Sequence, residues 1–413
     1  MSANLRKNTW SLNENYAEVQ VGKIGYSDDS GANELYAWGR NNYGQLGQNN
    51  RINYSSPVQI PGTTWSQNFQ VGGKSKPFTL AVKTNGTLWG WGRAEQGALG
   101  INATNDRSSP VQIPGTNWST DKGKLDSCDY NGIAIKTDGS LYVWGKNNYG
   151  QMGNNTRNDG YSSPVQIPGT YSWTSISGGG ETAAFVKTNG ELWMVGHCGR
   201  YVSPFTVVGG GYSRSSPVQV PGTTWRSVHP DQDGQSALYT KTDGTMWYMG
   251  QYSSGLNGKA IPSSRYGDVY GNNGVSSPIQ IGSDSTWTTK LAVFDNAACA
   301  IKTDGSLWTW GNNSRGRLGH SDKYAQDIFS PRQVGTDLTW ESIGMGHYFT
   351  AATKQDGTIW VWGGLIDGLS GDNYEDDWER SRSSPTQIGS TGFGWSVGQQ
   401  ASQADIRAVK SVT

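Results

Sequence analysis

The hydrophobic pattern of the chain is dominated by a short alternating segment that returns seven times. A typical copy reads Ser-Leu-Trp-Thr-Trp-Gly, with Trp308 and Trp310 two positions apart. Such side chains point to the same face of a strand, so each copy predicts a short strand with one aromatic face. The glycines that end the seven copies are Gly39, Gly92, Gly145, Gly196, Gly250, Gly311 and Gly363.

Two further markers repeat in the same register. One is a Ser-Pro pair that opens a short apolar segment, which suits a strand start because no ladder donor is needed there. Its prolines are Pro57, Pro110, Pro164, Pro217, Pro278, Pro331 and Pro385. The other is a lone tryptophan eight to ten residues later: Trp65, Trp118, Trp173, Trp225, Trp287, Trp340 and Trp395. Three markers in one register indicate seven sequence repeats.

Each repeat contains four candidate strands. The fourth candidate is a segment such as Ala-Ala-Phe-Val-Lys at 183–187, and a tight turn leads from it into the next aromatic strand. Those turns are Asn85-Gly86, Asp138-Gly139, Asn189-Gly190, Asp243-Gly244, Asp304-Gly305 and Asp356-Gly357. Such pairs favour two-residue hairpin turns with positive φ. Seven four-stranded units without a helical period predict an all-β fold, a single seven-bladed β-propeller over residues 31–413.

The two ends of the chain suggest how the ring closes. The last segment, Ala-Asp-Ile-Arg-Ala-Val-Lys-Ser, resembles an internal strand, but no eighth aromatic strand follows it. We expect the strands between Trp395 and Ser411 to pair with the first aromatic strand and the Pro57 strand, so that one blade contains both termini. Residues 1–30 are then an N-terminal arm or extra strands. Because Trp10 resembles the lone tryptophans of the repeats, these residues could also take the place of the C-terminal strands in the closing blade.

Composition narrows the classes of function. The chain has 33 basic and 33 acidic residues, so its balance favours neither nucleic acid nor an anionic surface as partner. Its longest apolar runs are far below the length of a membrane helix, and no secretory signal opens the chain. Cys128, Cys198 and Cys299 form no disulfide framework or metal motif, and we interpret them as free thiols.

One stretch resembles a known family. The segment 136–155, Lys-Thr-Asp-Gly-Ser-Leu-Tyr-Val-Trp-Gly-Lys-Asn-Asn-Tyr-Gly-Gln-Met-Gly-Asn-Asn, resembles the regulator of chromosome condensation repeat, and GQLG (44–47), GALG (97–100), GRLG (316–319) and GLSG (368–371) are similar. The resemblance covers residues 31–413 and implies a seven-bladed propeller.

The resemblance also implies functions to test. The family's eponymous member is a chromatin-bound exchange factor for the GTPase Ran, an activity that uses acidic and histidine residues on one face. Here His347 lies where family repeats often carry a histidine. The neutral charge argues against chromatin or Ran. The near-identical SSPVQIPGTTW segments in Asn/Gly/Ser-rich loops resemble propellers of bacteria and tailed bacteriophages.

A search for catalytic groups finds no constellation. The four histidines lie in different repeats with no metal-ligand spacing, and the serines before proline recur in every repeat, which indicates strand-start residues. We therefore expect no enzyme activity, cofactor, metal or small-molecule substrate.

Two irregular loops are the candidate partner-binding sites. The fifth repeat has an enlarged loop with Tyr252, Arg265, Tyr266 and Tyr270, and the seventh has an acidic loop with Asp376, Asp377 and Trp378. Both follow the same strand type, so we expect them on the same rim. Solvated loops without a role are the alternative, and Ca²⁺ binding by the acidic loop is a weaker one.

The function that this pattern favours is a non-enzymatic structural or binding propeller. The near-identical SSPVQIPGTTW segments in polar loops favour a virion component of a tailed phage, on the tail or capsid surface. Such a component would contact other virion proteins or the host surface. The alternative is an intracellular, cytoplasmic regulatory propeller that binds a GTPase or inhibits a partner enzyme.

Overall fold

The computed structural model describes residues 33–72, 76–169, 172–197, 213–231, 234, 236–251, 255–259, 274–321, 326–371, 381–388, 394–397 and 405–411. Within these ranges the chain forms seven four-stranded antiparallel sheets. The all-β, seven-bladed propeller expected from the repeats is confirmed. The predicted arm at 1–30 lies outside the described residues and stays a prediction.

The strands follow the three sequence markers. In chain order they are β1 (Asn33–Gly39), β2 (Tyr54–Gln59), β3 (Trp65–Gly72), β4 (Phe78–Lys83), β5 (Leu88–Gly92), β6 (Arg107–Gln112), β7 (Leu125–Ser127), β8 (Asn131–Ile135), β9 (Leu141–Gly145), β10 (Tyr161–Gln166), β11 (Trp173–Gly179), β12 (Thr182–Lys187), β13 (Leu192–His197), β14 (Ser213–Val220), β15 (Trp225–Pro230), β16 (Ser236–Lys241), β17 (Met246–Gln251), β18 (Gly274–Gln280), β19 (Trp287–Phe294), β20 (Ala297–Lys302), β21 (Leu307–Gly311), β22 (Ile328–Gln333), β23 (Trp340–Met345), β24 (Phe349–Lys354), β25 (Ile359–Gly363), β26 (Arg382–Ile388), β27 (Gly394–Val397) and β28 (Asp405–Ser411).

Blade 1 has the order β27–β28–β1–β2, and blades 2 to 7 each use four consecutive strands, from β3–β6 to β23–β26. The first strand of each blade contacts the first strand of its neighbour from β3 through β27, so these strands line the axis of the ring. The strands that begin with Ser-Pro segments are outermost. A central channel therefore runs between the seven innermost strands.

The ring closes as the terminal segments predict. Strand β28 pairs with β1 from Asn33 opposite Ser411 to Gly39 opposite Asp405. It also pairs with β27, where Trp395 lies opposite Lys410, and β1 pairs in turn with β2. Backbone hydrogen bonds between the two ends of the chain therefore complete blade 1.

Tryptophan fills the space between the strands, as expected. The lone tryptophans are buried, and each second aromatic of the alternating strand, such as Trp310, is buried as well. The first aromatic is half-buried in blades 2 to 7, and Trp308 and Trp310 both contact Trp287, with ring centroids 6.1 and 6.0 Å away. The two aromatics of the strand therefore share one face.

The Gly-x-x-Gly loops join neighbouring blades. The indole N–H of Trp91 in blade 2 donates to the carbonyl of Gln45, in the loop of blade 1, at 2.9 Å. A Cβ on Gly47 would lie 2.9 Å from that indole nitrogen, and a Cβ on Gly44 would lie 2.5 Å from Ser108. Only glycine allows this approach, which explains why the motif recurs.

The prediction of two-residue hairpin turns is wrong in the length of the loop. Lys83 N–H donates to Thr87 O and Gly86 N–H donates to Lys83 O, which defines a three-residue loop. Only the glycine has positive φ, at 75° in Gly86. The turns are therefore type I turns followed by a left-handed glycine, not two-residue turns. We call the side of the ring with these turns the hairpin face and the opposite side the loop-rich face.

Candidate partner-binding face

The predicted partner-binding loops both start on the loop-rich face. The enlarged loop follows β17, which ends at Gln251, and the acidic loop lies between β25 and β26, after the loop that follows Gly363. Tyr252, Arg265, Tyr266, Tyr270, Asp376, Asp377 and Trp378 themselves lie outside the described residues. Their role stays a prediction, and the described part of the same face supplies the geometry below.

A fully buried arginine organises the centre of this face. Arg317 follows β21 in the Gly-x-x-Gly loop of blade 6, and its guanidinium donates to the carbonyls of Asn312 at 2.9 Å, Asp295 at 2.6 Å and His347 at 2.5 Å. Burial lowers the pKa of Arg317 to about 10, while nearby carboxylates, first Asp295, raise it. The guanidinium therefore remains charged at neutral pH and ties the inner turn of blade 6 to that of blade 7.

An aspartate and a histidine meet beside this arginine. Asp295 and Asn296 both have positive φ, at 49° and 63°, as in the turn that joins two strands through two residues. The turn presents the Asp295 carboxylate to His347, with Oδ2 2.9 Å from Nε2. Asn296 N–H donates to Oδ2 of Asp231 in blade 5 at 3.3 Å. Side chains of blades 5, 6 and 7 therefore form one acidic and histidine cluster.

Tyrosines that lie against His347 or against cations recur on the same face. The His347 ring stacks on Tyr348 at 3.9 Å with an interplanar angle of 19°. Elsewhere on this face Arg93 lies over Tyr43 at 4.6 Å and Lys146 lies over Tyr149 at 5.3 Å. We define the tyrosine–cation patch by its members: Tyr43, Tyr130, Tyr149, Tyr348, Lys76, Arg93, Lys146 and Arg315.

The tyrosine–cation patch has the composition of a contact surface. Its tyrosines are half-buried, so part of each ring remains open to solvent. Tyrosine and arginine are enriched in protein interfaces and dominate their binding energy. Among the described residues, no group of three or more histidine, cysteine, aspartate or glutamate side chains could hold a metal ion. The described part of the chain also contains no helix long and apolar enough to span a bilayer.

Sequence reasoning identified only part of this face. His347 was noted as the histidine that matches family repeats, but Asp231, Asp295 and Arg317 were not. A signal was present for Arg317, because the corresponding loop position holds Gln45 and Gln151 in two other repeats. Asp295 lies in a short turn without glycine, and its meeting with His347 depends on contact between blades.

Comparison with known proteins identifies the repeat. Segments 33–74, 85–121, 138–186 and 304–353 match the model of the Regulator of chromosome condensation (RCC1) repeat. Human HERC2, an E3 ubiquitin-protein ligase, is 25% identical over 376 residues, which cover 85% of this chain and 7% of that protein. The RCC1 domain-containing protein RUG3, mitochondrial, of Arabidopsis thaliana is 25% identical over 367 residues, 81% of this chain and 78% of its own. The chain therefore spans a small part of HERC2 and most of RUG3.

Solved structures show the same fold. Yeast RCC1 (Prp20), in its complex with Kap60, has a TM-score of 0.78 at 16% identity and covers 100% of this chain and 95% of its own. Human WBSCR16 has a TM-score of 0.71 at 16% identity, with 92% of this chain and 99% of its own covered. At such identities the likeness shows the propeller fold alone.

Proposed function

Because this chain is a seven-bladed propeller of regulator of chromosome condensation repeats, we propose that it is a non-enzymatic regulatory module whose loop-rich face binds a folded protein. The partner class is a GTPase or another enzyme whose activity the contact modulates. This is the intracellular alternative of the sequence analysis. The structure of Prp20p from Saccharomyces cerevisiae, similar with a TM-score of 0.75 at 17% identity, is described together with its binding properties to Gsp1p and histones. That relative supports protein binding as the role of the fold.

The observation that carries the proposal is the combination, on one face, of a preorganised charge cluster and of tyrosines that lie against cations. Arg317, Asp295 and His347 hold one another in place, so their polar groups are already oriented before a partner arrives. Tyr149 and Tyr348 lie against cations and add rigid, amphipathic contact area. Fixed side chains lose little conformational entropy on binding, which favours a specific interface.

The irregular loops begin at strand ends on the same face. Tyr252, Tyr266 and Tyr270 with Arg265, and Trp378 with Asp376 and Asp377, add aromatic and charged groups close to the ends of β17 and β25 in the sequence. Residues of these types suit the rim of a protein interface. We propose that they select the partner, while the central cluster provides the common platform.

The virion assignment rests only on the near-identical repeat segments in their Asn/Gly/Ser-rich loops. The relatives named above are proteins of human, plant and yeast, and none of their names refers to a virus particle. We therefore prefer the regulatory proposal. Mass spectrometry of purified particles tests the virion reading, because a structural component is recovered there in stoichiometric amount.

An affinity experiment with matched variants tests the docking face. The tagged chain is compared with two double variants. Tyr149→Ala/Arg315→Ala removes one aromatic and one cation from the loop-rich face, and Tyr142→Ala/Lys241→Ala removes one of each from the hairpin face. The proposal expects a stoichiometric folded partner that the first variant loses and the second retains. Equal loss from both variants, with thermal unfolding showing both folded, would overturn it.

A further inference from the structure

Cationic side chains from three blades converge at one mouth of the central channel. A cavity of about 520 Å³ is lined by residues of all seven innermost strands or the loops that precede them. Among its lining residues are Lys122 of blade 3, Arg226 of blade 5 and Lys290 of blade 6. Arg226 and Lys290 lie near the starts of β15 and β19, which places this mouth on the hairpin face. It is therefore distinct from the loop-rich face proposed to bind a protein.

Lys122 reaches the channel through an insertion that other blades lack. Trp118 lies opposite Lys136 and Leu125 lies opposite Ala134, so seven steps on one strand match two on the other. In blade 5 the equivalent interval, from Trp225 opposite Lys241 to Val228 opposite Tyr239, takes three steps against two. The extra residues of blade 3 form a loop from which Lys122 Nζ extends to Ser396 Oγ of blade 1, at 3.4 Å.

The positive charges at this mouth are only partly balanced. Lys290 Nζ pairs with Glu341 Oε1 at 2.7 Å, whereas the Ser396 hydroxyl is the one hydrogen-bond partner of Lys122 among the described residues. Arg226 forms no hydrogen bond or ion pair with any described residue. The pKa of Lys122 lies below its usual value because burial removes water from it and because the Lys290 charge repels it, while the Glu341 carboxylate raises it in part. An anion at this position would relieve that repulsion.

Other ionisable groups in the cavity are already engaged. The Asp126 carboxylate accepts hydrogen bonds from the backbone N–H of Ser127 at 2.8 Å and of Gly178 at 3.0 Å. Burial lowers the pKa of His229 to about 4, so its ring is neutral at pH 7. Lys354 is stacked over Trp360 at 4.0 Å and paired with Asp337. Lys122 and Arg226 therefore carry the positive charge open to a ligand, and Lys290 adds a charge that Glu341 already balances in part.

A second observation points to a polar ligand in the same cavity. Gln70 is 7% exposed and lines the cavity, and its Oε1 has no hydrogen-bond partner among the described residues. A buried amide without a partner is costly, so a ligand hydroxyl that donates to it would be stabilising. The cavity thus offers cations for an acidic group and an amide for a hydroxyl group.

We propose that the hairpin-face mouth of the channel binds one small organic oxyanion that also carries hydroxyl groups, held by Lys122, Arg226 and Lys290. The acidic group is a phosphate or a carboxylate, since both accept charge-assisted hydrogen bonds from lysine and arginine. Binding there leaves the opposite face free, so it is compatible with a protein partner and does not depend on one.

Calorimetric titration with defined probes tests this site. The probes are glucose 6-phosphate and citrate, which carry hydroxyls with a phosphate or with carboxylates, and inorganic phosphate, which has no carbon skeleton. We expect one molecule of an organic probe per chain and about tenfold weaker binding for inorganic phosphate. The stronger of the two organic probes identifies the acidic group.

Two variants and a matched control locate the binding. Lys122→Gln and Arg226→Gln each remove one cation from the mouth. We expect each variant to weaken the binding of the organic probe by about tenfold. Lys241→Gln removes a lysine of the same face that is stacked on Trp247 outside the cavity, and we expect less than about a twofold effect. The proposal is wrong if no probe binds below about 10 mM, or if the control weakens binding as much as the two variants.

Discussion

Arg407 and Asp405, two residues apart on the last strand, form an ion pair inside blade 1 with Nη1 3.1 Å from Oδ1. Both side chains are buried. The guanidinium also donates to the carbonyl of Gln45 at 2.6 Å and to the hydroxyl of Thr79, in blade 2, at 3.0 Å. A slip of one residue would turn both charges to the opposite face of the strand, away from these partners. The pair therefore favours one register for the joining of the chain ends.

Removal of one partner of this pair should destabilise the whole ring. In Asp405→Asn the Arg407 charge stays buried without its carboxylate, and we expect a loss of about 3 kcal/mol in the free energy of unfolding. Urea denaturation followed by tryptophan fluorescence measures it. A loss below about 0.5 kcal/mol would show that the pair does not hold the closure.

The repeat itself supplies the control for this variant. In blade 2, Phe78 and Leu80 occupy the positions that Asp405 and Arg407 occupy in blade 1, because Phe78 lies opposite Gly92 as Asp405 lies opposite Gly39. The double variant Asp405→Phe/Arg407→Leu removes both charges together. We expect it to recover at least about half of the stability lost in Asp405→Asn, since no buried charge is left unpaired.

Alanine variants of two glycines distinguish the stability cost of backbone strain from that of lost space between blades. Gly319 and Gly335 have φ values of 79° and 62°, so alanine is strained at both. A Cβ on Gly319 would lie 2.8 Å from the indole nitrogen of Trp362, whereas none of the surrounding atoms lies within 4 Å of a Cβ on Gly335. We expect Gly335→Ala to cost about 1 kcal/mol and Gly319→Ala about 2 kcal/mol more. Equal costs in thermal unfolding would show that the Gly-x-x-Gly loops are not packed against the next blade.

The sequence was sufficient to predict the ring because its determinants are local and repeated. The alternation of Trp308 and Trp310 gives a strand, the Asp304-Gly305 pair gives a hairpin, and seven copies give a closed sheet stack. The shared blade also followed from residues 405–411, whose pattern matches an internal strand. Only the loop length of the hairpins was wrong, because a type I turn followed by glycine uses the same dipeptide as a two-residue turn.

The surfaces were less predictable because they depend on contacts between blades. Arg317 stands out in the repeat alignment, but its acceptors at Asp295 and His347 come from separate turns that only the closed ring brings together. Lys122 lies in an insertion whose direction no sequence pattern reports. The same holds for the lysine before each glycine turn, which looks like a surface residue but is stacked between aromatic rings.

That stacked lysine contributes stability that can be measured. Lys241 Nζ lies 3.7 Å from the ring centroid of Trp247 and 4.8 Å from that of Trp225. Lys241→Met keeps the aliphatic stem and removes the charge, so we expect a loss of about 1 kcal/mol. Lys302 has the same stacking and also pairs with Asp284, so Lys302→Met should cost more. Urea denaturation that shows no loss in either variant would contradict a stabilising cation–π contact.

The buried Asp126 should make the fold more stable in mild acid. Desolvation raises its pKa to about 6, although hydrogen bonds from the Ser177 side chain and from the backbone of Ser127 and Gly178 lower it in part. The unfolded chain has the ordinary aspartate pKa of about 4, so between these values the folded state binds a proton that the unfolded state does not. This contribution to stability is therefore fully present below about pH 4 and is lost as the pH rises through about 6.

The size of that effect follows from the shift of about two pKa units. It corresponds to at most about 3 kcal/mol between pH 7 and pH 4. The control is Asp126→Asn, which is neutral throughout and retains an oxygen for the Gly178 N–H. We expect the stability of the natural chain relative to this variant to increase as the pH falls from about 7 to 4, measured by urea denaturation at each pH. A difference that stays constant, or that grows in the opposite direction, would show that the Asp126 carboxylate is not penalised by burial beside the channel.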